Sequence, residues 1–276
     1  MSASTISQHD KALRFRALHE GGAFVIANAW DGGSARVLAG LGFAAIATSS
    51  GASAGVLGRR DGQVTREEAL AHCRAIVQST DLPVSADLEN GFGDAPADAA
   101  RTIRLAADVG LVGGSIEDAT GRAEQPLYEM SQAVERVAAA VEAARSLPFA
   151  FTLTARCENF LRGNPDLDDT IARLQAFEKA GADVLFAPAL PDLDAVRKVC
   201  SAMRRPLNFM AGIPGKSFTV AQLQDAGVRR ISLATSLYRA AMTGLVQAAR
   251  EVHDQGTFTY LDRIIGGGEL NGLMKA

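Results

Sequence analysis

Cysteine, histidine and aromatic residues are scarce in this chain of 276 residues. It has three cysteines, four histidines and a single tryptophan. Cys73, Cys157 and Cys200 are odd in number and widely spaced, which argues against both a disulfide framework and a zinc site. Because thiols of this kind are typical of proteins in a reducing compartment, we expect a cytoplasmic protein.

Long apolar runs and an excess of one charge are also missing. No run reaches the about 20 apolar residues that a membrane helix needs, and residues 1–10 lack the apolar core of a secretory signal. The formal net charge is −3, from 28 basic and 31 acidic residues. No basic surface therefore points to nucleic acid or an anionic membrane, and we expect neither as a partner.

Short β-rich runs alternate with longer helical stretches along the chain. Such repetition predicts parallel strands joined by crossover helices, and about eight units in roughly 250 residues is the size of a TIM barrel. We therefore predict an α/β fold, a (β/α)8 TIM-type barrel, with an open doubly wound sheet as the alternative. The predicted strands are residues 24–27, 44–47, 84–87, 114–117, 149–155, 184–187, 207–210 and 230–233.

No composition break divides the chain, so residues 1–276 are predicted to form a single barrel domain. Residues 1–20 are interpreted as an N-terminal leader. Residues from about 254 to 276 contain the Gly266-Gly267-Gly268 run and lie outside the repeat. We expect them to form a C-terminal helical arm on the barrel or on a neighbouring subunit.

Two carboxylates follow the predicted strand 84–87. Asp87 and Glu89 are two positions apart, so the alternation of a strand would direct both to the same face. Acidic side chains at the end of a buried strand are costly without a positive partner. Since the ligands are hard oxygens, the pattern predicts a divalent cation, Mg²⁺ first and Mn²⁺ as the alternative.

Further polar residues occur at the ends of other predicted strands, which meet at one mouth of a barrel. Glu117 ends a neighbouring strand and can approach Asp87 directly or through a water. The Ser49-Ser50-Gly51 turn can hold an anionic oxygen. Arg156 can pair with a carboxylate or phosphonate, or instead form an internal ion pair with Glu158 or Glu117.

Asp61 is placed on a loop at the same mouth, or is an ordinary turn residue, and Asn208 ends another strand. The four histidines all fall in the leader or in predicted helices, which argues against a histidine base or ligand. Cys157 neighbours Arg156 on a strand, so we expect its side chain to pack on the opposite face rather than act as a nucleophile.

Taken together, these motifs resemble the isocitrate lyase/phosphoenolpyruvate mutase superfamily. The resemblance extends from about residue 27 to 237. It implies a barrel that binds Mg²⁺ and a small 2-oxo or 2-hydroxy acid, in a homodimer or homotetramer with a terminal helix exchanged between subunits. The motifs that carry it are Ser49-Ser50-Gly51, Asp61, Asp87-Leu88-Glu89-Asn90-Gly91-Phe92-Gly93, Ser115-Ile116-Glu117-Asp118 and Thr154-Ala155-Arg156.

The resemblance also implies roles for individual residues. Asp87, Glu89 and Glu117 take the places of the metal-binding acids, and Asp61 that of an outer acid that often holds a metal-bound water. The turn at residues 49–51 would bind the substrate carboxylate, and Arg156 the far side of the substrate. Asn208 is predicted to contact substrate, and Arg156 and Asp61 are the predicted catalytic residues.

Departures from the family pattern narrow the chemistry. Isocitrate and methylisocitrate lyases carry a Lys-Lys-Cys-Gly-His loop, whereas residues 119–126 contain neither cysteine nor histidine. Mutases carry a histidine near Ala187, and none is present. We therefore expect a Mg²⁺-dependent carbon–carbon lyase resembling a decarboxylase, working through a metal-stabilised pyruvate enolate. The alternatives are carbon–phosphorus chemistry on phosphonopyruvate or phosphoenolpyruvate, (methyl)isocitrate lyase-type cleavage, and a non-catalytic 2-oxo acid binder.

Overall fold

Eight parallel strands close into a barrel in a computed structural model, which describes residues 6–274. Each strand pairs with the next along the chain, and β8 closes onto β1. The predicted α/β TIM-type barrel is confirmed. The strands are β1 Phe24–Asn28, β2 Ile46–Ala47, β3 Val84–Asp87, β4 Gly113–Glu117, β5 Thr152–Arg156, β6 Val184–Phe186, β7 Leu207–Met210 and β8 Arg230–Ser232.

Helices follow the strands and surround the barrel. In the described residues they are α1 Gln8–Leu18, α2 Gly32–Gly40, α3 Ser50–Val56, α4 Arg66–Val77, α5 Pro96–Asp108, α6 Met130–Arg145, α7 Leu167–Lys179, α8 Leu193–Ala202, α9 Val220–Asp225, α10 Ser236–Arg250 and α11 Gly267–Leu273. All eight predicted strands are present, with ends that differ by up to three residues.

Two of these helices were not predicted. The segment around residues 48–53 was interpreted as a turn, but α3 begins there because the Ser49 side chain accepts the Ala52 N–H and caps the helix. Within the predicted leader, the Ser7 side chain caps α1 in the same way. Residues 1–5 of that leader and residues 275–276 of the predicted arm lie outside the described residues.

Strand alternation separates an apolar outside from a partly polar inside. On β7 and β8, Leu207, Phe209 and Ile231 pack under the surrounding helices. The intervening residues Asn208 and Arg230 are paired in register and line a cavity inside the barrel. This alternation decides which residues can reach a ligand at the barrel mouth.

The amino-terminal end of the barrel is closed by α1. Its Ala12 and Phe15 are fully buried and pack against Ile26, Ala45 and Val112. A plugged amino end leaves the carboxyl ends of the strands as the open mouth, where barrels of this type build their sites. Among the described residues, no helix is both long enough and apolar enough to cross a membrane.

The C-terminal part lies against the barrel exterior. Helix α11 packs on α2, where the Leu273 carbonyl comes so close that a Cβ at Gly40 would lie 2.2 Å from it. Helix α10 has no buried residue. Its Met242, Leu245 and Val246 are exposed apolar side chains.

Candidate active site

Two adjoining cavities open at the carboxyl ends of the strands. The first, here called the mouth cavity, has a volume of about 250 Å³, and the second, the outer cavity, about 620 Å³. Ser50, Asp61 and Arg156 line both cavities. The mouth cavity also includes Ser49, Gly51, Asp87 and Asn208, and the outer cavity Glu89 and Glu117. The fold therefore brings every predicted site residue together.

Asp87 is fixed by two backbone groups. One carboxylate oxygen accepts the N–H of Ser50 at 3.3 Å, and the other accepts the N–H of Glu89 at 3.2 Å. The first of these bonds joins the ends of β2 and β3, 37 residues apart in sequence. Asp87 is thereby oriented before any ligand arrives.

Glu89 reaches the same site by a route other than the one expected. Strand β3 ends at Asp87, so strand alternation does not direct the Glu89 side chain. Glu89 instead adopts the left-handed backbone conformation, with φ of 49°. This conformation is uncommon for a residue with a side chain, and the contacts of the surrounding loop hold it in place.

Two buried arginines support the glycine-rich loop that follows β3. Arg66 Nη2 donates to the carbonyls of Gly91 and Phe92 at 3.2 and 3.1 Å. Arg136 Nη1 donates to the carbonyl of Gly93 at 2.8 Å, and its guanidinium stacks on Tyr128. These contacts could not be predicted from residue order, since both arginines lie on helices, where a solvated side chain is the usual expectation.

Arg156 lies at the centre of an acidic cluster. Its Nη1 is 3.3 Å from a Glu117 oxygen and 3.6 Å from an Asp87 oxygen, and its Nε bonds to Glu158. Arg162 bridges two of these acids, at 3.4 Å from Glu117 and 3.1 Å from Glu158. The internal ion pair that the sequence left open is therefore present in the structure.

Burial makes this cluster unfavourable for negative charge. It raises the pKa of Glu117 to about 8, with Glu158 and Asp87 adding to the rise and Arg156 and Arg162 opposing it. Burial, Asp87 and Asp61 likewise raise the pKa of Glu89 to about 7. Five carboxylates thus meet two arginines, and either protonation or a further cation would relieve the repulsion between the acids.

Asp61 approaches the Ser49-Ser50-Gly51 segment closely. A Cβ added to Gly51 would lie 3.2 Å from the Asp61 Oδ2 and 3.0 Å from the Thr235 Cγ2. A glycine at this position leaves space for both neighbours. Asp61 therefore lies at the mouth of the barrel, as predicted, and its catalytic role stays a prediction.

Asn208 is held by two neighbours inside the barrel. Its Oδ1 accepts from Arg230 Nε at 2.9 Å, and its Nδ2 donates to the Ser232 hydroxyl at 3.0 Å. Arg230 was not recognised from the sequence as a site residue. The alternation of strand 230–233 could have indicated it, because Arg230 and Ser232 point to one face of the strand and the apolar Ile231 to the other.

Neither cavity is lined by a cysteine or a histidine among the described residues. Cys157 packs on the outer side of β5 among apolar residues, as expected, and burial raises its pKa well above the usual value. Cys73 lies behind the site on α4, where burial raises its pKa to about 12. Neither thiol is suited to act as a nucleophile at neutral pH.

Comparison with known proteins agrees with this geometry. Residues 15–253 match the family model described as phosphoenolpyruvate phosphomutase. The chain belongs to this family. The predicted membership of the isocitrate lyase/phosphoenolpyruvate mutase superfamily is thus confirmed.

Three relatives show the range of the family around this chain. The 2-methylisocitrate lyase of Escherichia coli K12 is 29% identical over 76% of this chain and 73% of its own. The oxaloacetate decarboxylase of Pseudomonas entomophila L48 is 29% identical over 88% and 85%. A solved "putative lyase/mutase" of Burkholderia cenocepacia J2315 is 51% identical, covers 98% of both chains and superposes with a TM-score of 0.95.

The activities named for the family model and for these relatives are those of a phosphomutase, a lyase and a decarboxylase. The chain is accordingly an enzyme of this superfamily, with chemistry of the carbon–carbon lyase type, as predicted. The relatives that share this barrel carry different names, so the family alone does not choose a substrate. That choice depends on the residues of the mouth.

Proposed function

We propose that this enzyme is a Mg²⁺-dependent lyase that acts on a small 2-oxo or 2-hydroxy dicarboxylate, in its simplest form a 2-oxo dicarboxylate decarboxylase. The observation that carries the proposal is the composition of the two cavities. They combine a surplus of buried carboxylates with no thiol or imidazole in the lining described above. The named activities of the relatives, one of them an oxaloacetate decarboxylase, support it.

The residues fit a hydrated Mg²⁺ ion. Among residues 6–274, no group of three or more His, Cys, Asp or Glu side chains forms a ready-made metal site. Mg²⁺ does not require one, because it keeps several waters and binds through one or two carboxylates plus substrate. Asp87, Glu89 and Glu117 would hold the ion, whose charge would oppose the burial that raises the pKa of both glutamates.

The chain's own residues would bind and orient the substrate. Ser49, Ser50 and Gly51 lie beside Asp87 and would hold the carboxylate next to the 2-oxo group. Arg156 keeps Glu117 and Asp87 in place, and Asn208 faces the mouth cavity. Bound Mg²⁺ would stabilise the negative charge that develops on the 2-oxo oxygen.

Decarboxylation suits this set of residues better than cleavage to a larger fragment. Carbon dioxide departs without a proton, so the departing group needs no acid at the position of the lyase cysteine. The enolate that remains would take its proton at C3 from water to give pyruvate. Carbon–phosphorus chemistry is less well supported, since Arg162, an extra cation available for a phosphonate, is already paired with Glu117 and Glu158. A non-catalytic protein that binds 2-oxo acids would use the same residues, so only an activity measurement distinguishes it from a decarboxylase.

A Mg²⁺-dependent substrate panel tests the proposal. We expect pyruvate from oxaloacetate, at a rate well above that of Mg²⁺ alone and abolished by EDTA. Phosphonopyruvate, methylisocitrate and longer diacids form the rest of the panel, with phosphate and succinate assayed as co-products. Oxaloacetate consumed only at the background rate would contradict the decarboxylase. No turnover, with a melting temperature raised by 2-oxo acids only when Mg²⁺ is present, would indicate the binder.

We further propose that the protein forms a homodimer or homotetramer. Helix α10 has no buried residue, and Phe258, Leu261 and Ile264 in the arm are also exposed. Exposed apolar patches of this kind are typical of interfaces. We expect light scattering to give a mass of two or four times 28.9 kDa, and Leu245→Glu on α10 to lower it. A monomeric wild type would contradict this part of the proposal.

A further inference from the structure

A buried arginine without an acidic partner lies inside the barrel. Arg230 begins β8 and is only 5% exposed. Its Nε donates to Asn208 and its Nη2 donates to the Thr154 hydroxyl, both at 2.9 Å. Its Nη1 has no hydrogen-bond partner. Within residues 6–274, no acidic side chain lies within ion-pair distance of this guanidinium.

A buried cation without a counter-ion is energetically costly. Burial lowers the pKa of Arg230 to about 9, a value that still leaves it charged at neutral pH. His19, the residue that caps the C-terminus of α1, is close enough for the charge of Arg230 to affect it. Burial lowers the pKa of His19 to about 3, with Arg230 adding to the fall, so His19 is neutral. A neutral imidazole leaves the charge of Arg230 uncompensated.

The mouth cavity offers the space for a counter-ion. Arg230 lines this cavity together with Asp87 and the segment Ser49-Ser50-Gly51. The other arginine in the lining, Arg156, contacts three carboxylates of the protein. Its charge is already compensated, which makes it a poor partner for the far carboxylate of a substrate. At about 250 Å³, the cavity has the liquid volume of about eight waters, enough for a small diacid.

We propose that Arg230 binds the distal carboxylate of a small dicarboxylate and thereby selects diacids over monoacids. This inference rests on the proposed function for the ligand class, and it assigns to Arg230 the contact that the sequence analysis gave to Arg156. A carboxylate in the mouth cavity, which Arg230 lines, would lie against the guanidinium and neutralise the buried charge. Arg230 is then a specificity-determining residue that touches substrate.

Calorimetric binding in the presence of Mg²⁺ tests this assignment. Malate and lactate form the first ligand pair and oxaloacetate and pyruvate the second, because each pair differs in the distal carboxylate. A charged hydrogen bond contributes about 1.5–3 kcal/mol, so we expect Arg230→Met to weaken malate binding about 10- to 150-fold. Lactate binding should change less than twofold. Arg230→Lys should restore part of the preference, and the neighbouring Arg229→Met is the matched control.

A purely structural role would give a different pattern. Arg230→Met would then lower the melting temperature and weaken malate and lactate equally. Equal binding of the two ligands to the wild type, or an unchanged preference in Arg230→Met, would overturn the inference. Binding measurements also separate the proposed lyase activity from the proposed role of Arg230. If no panel substrate is turned over, malate can still bind more tightly than lactate in a way that depends on Arg230. If Arg230→Met turns over oxaloacetate with an unchanged KM, the proposed lyase activity would be supported and the proposed role of Arg230 would be wrong.

Discussion

Replacement of Asp87 by alanine is expected to lower kcat/KM about a thousandfold or more. Asp87 is the acid that the first residue of α3 and the loop after β3 both orient, through the N–H groups of Ser50 and Glu89. Stabilisation of developing charge by a bound metal contributes several kcal/mol, and each 1.36 kcal/mol is about tenfold in rate. Steady-state kinetics on the substrate found in the panel would measure the loss.

The exposed acid Glu142 on α6 provides the control, and Glu142→Ala should have the activity of the wild type. Asp87→Ala should remain folded, because it removes negative charge from a cluster in which acids outnumber arginines. Its melting temperature should also stop responding to Mg²⁺. An Asp87→Ala enzyme with wild-type kcat/KM, or one still stabilised by Mg²⁺, would show that the metal-binding site lies elsewhere.

Replacement of Arg156 by methionine is expected to destabilise the fold by about 3–5 kcal/mol at pH 8.5, the usual cost of leaving a buried charge without its partner. Glu117 and Glu158 would lose the guanidinium that lies between them. Urea unfolding in EDTA at pH 5.5, 7 and 8.5 would measure the change in the free energy of unfolding.

The destabilisation should shrink as the pH falls. In the wild type, the pKa values of Glu117 and Glu89, about 8 and 7, exceed the ordinary value of 4.5. The folded protein therefore binds more protons than the unfolded chain in this range, and its stability is lost as the pH rises through the folded pKa values. Without Arg156, which lowers the pKa of Glu117, this pKa rises further and the fall in stability continues to higher pH.

Arg162→Met is the matched control, since Arg162 contacts the same two glutamates but its side chain is 41% exposed. Ion pairs of exposed groups contribute about 0–1 kcal/mol, so this variant should lose little stability at any pH. If both variants lost the same free energy of unfolding at every pH, the burial of Arg156 would not be what stabilises the acidic cluster.

Much of the fold could be predicted from residue order alone. The eight strands follow from the alternation of β-rich and helical runs, because parallel strands need crossover helices. Asp87, Glu117 and Arg156 could be placed at one mouth, since the carboxyl ends of parallel strands meet there. Helix α3 was missed because the Ser49-Ser50-Gly51 segment has the composition of a turn.

The sequence by itself determined the barrel, the family and most of the acids and polar residues at the mouth, because strand period, order and residue type are local properties of the chain. The tertiary structure alone decided how those residues pair. Arg230 meets Thr154 across 76 positions, and Ser50 meets Asp87 across 37. Contacts between residues so far apart in sequence decide which charges are buried and which are paired. Only the folded barrel therefore distinguishes Arg156, whose charge is compensated, from Arg230, whose charge is not.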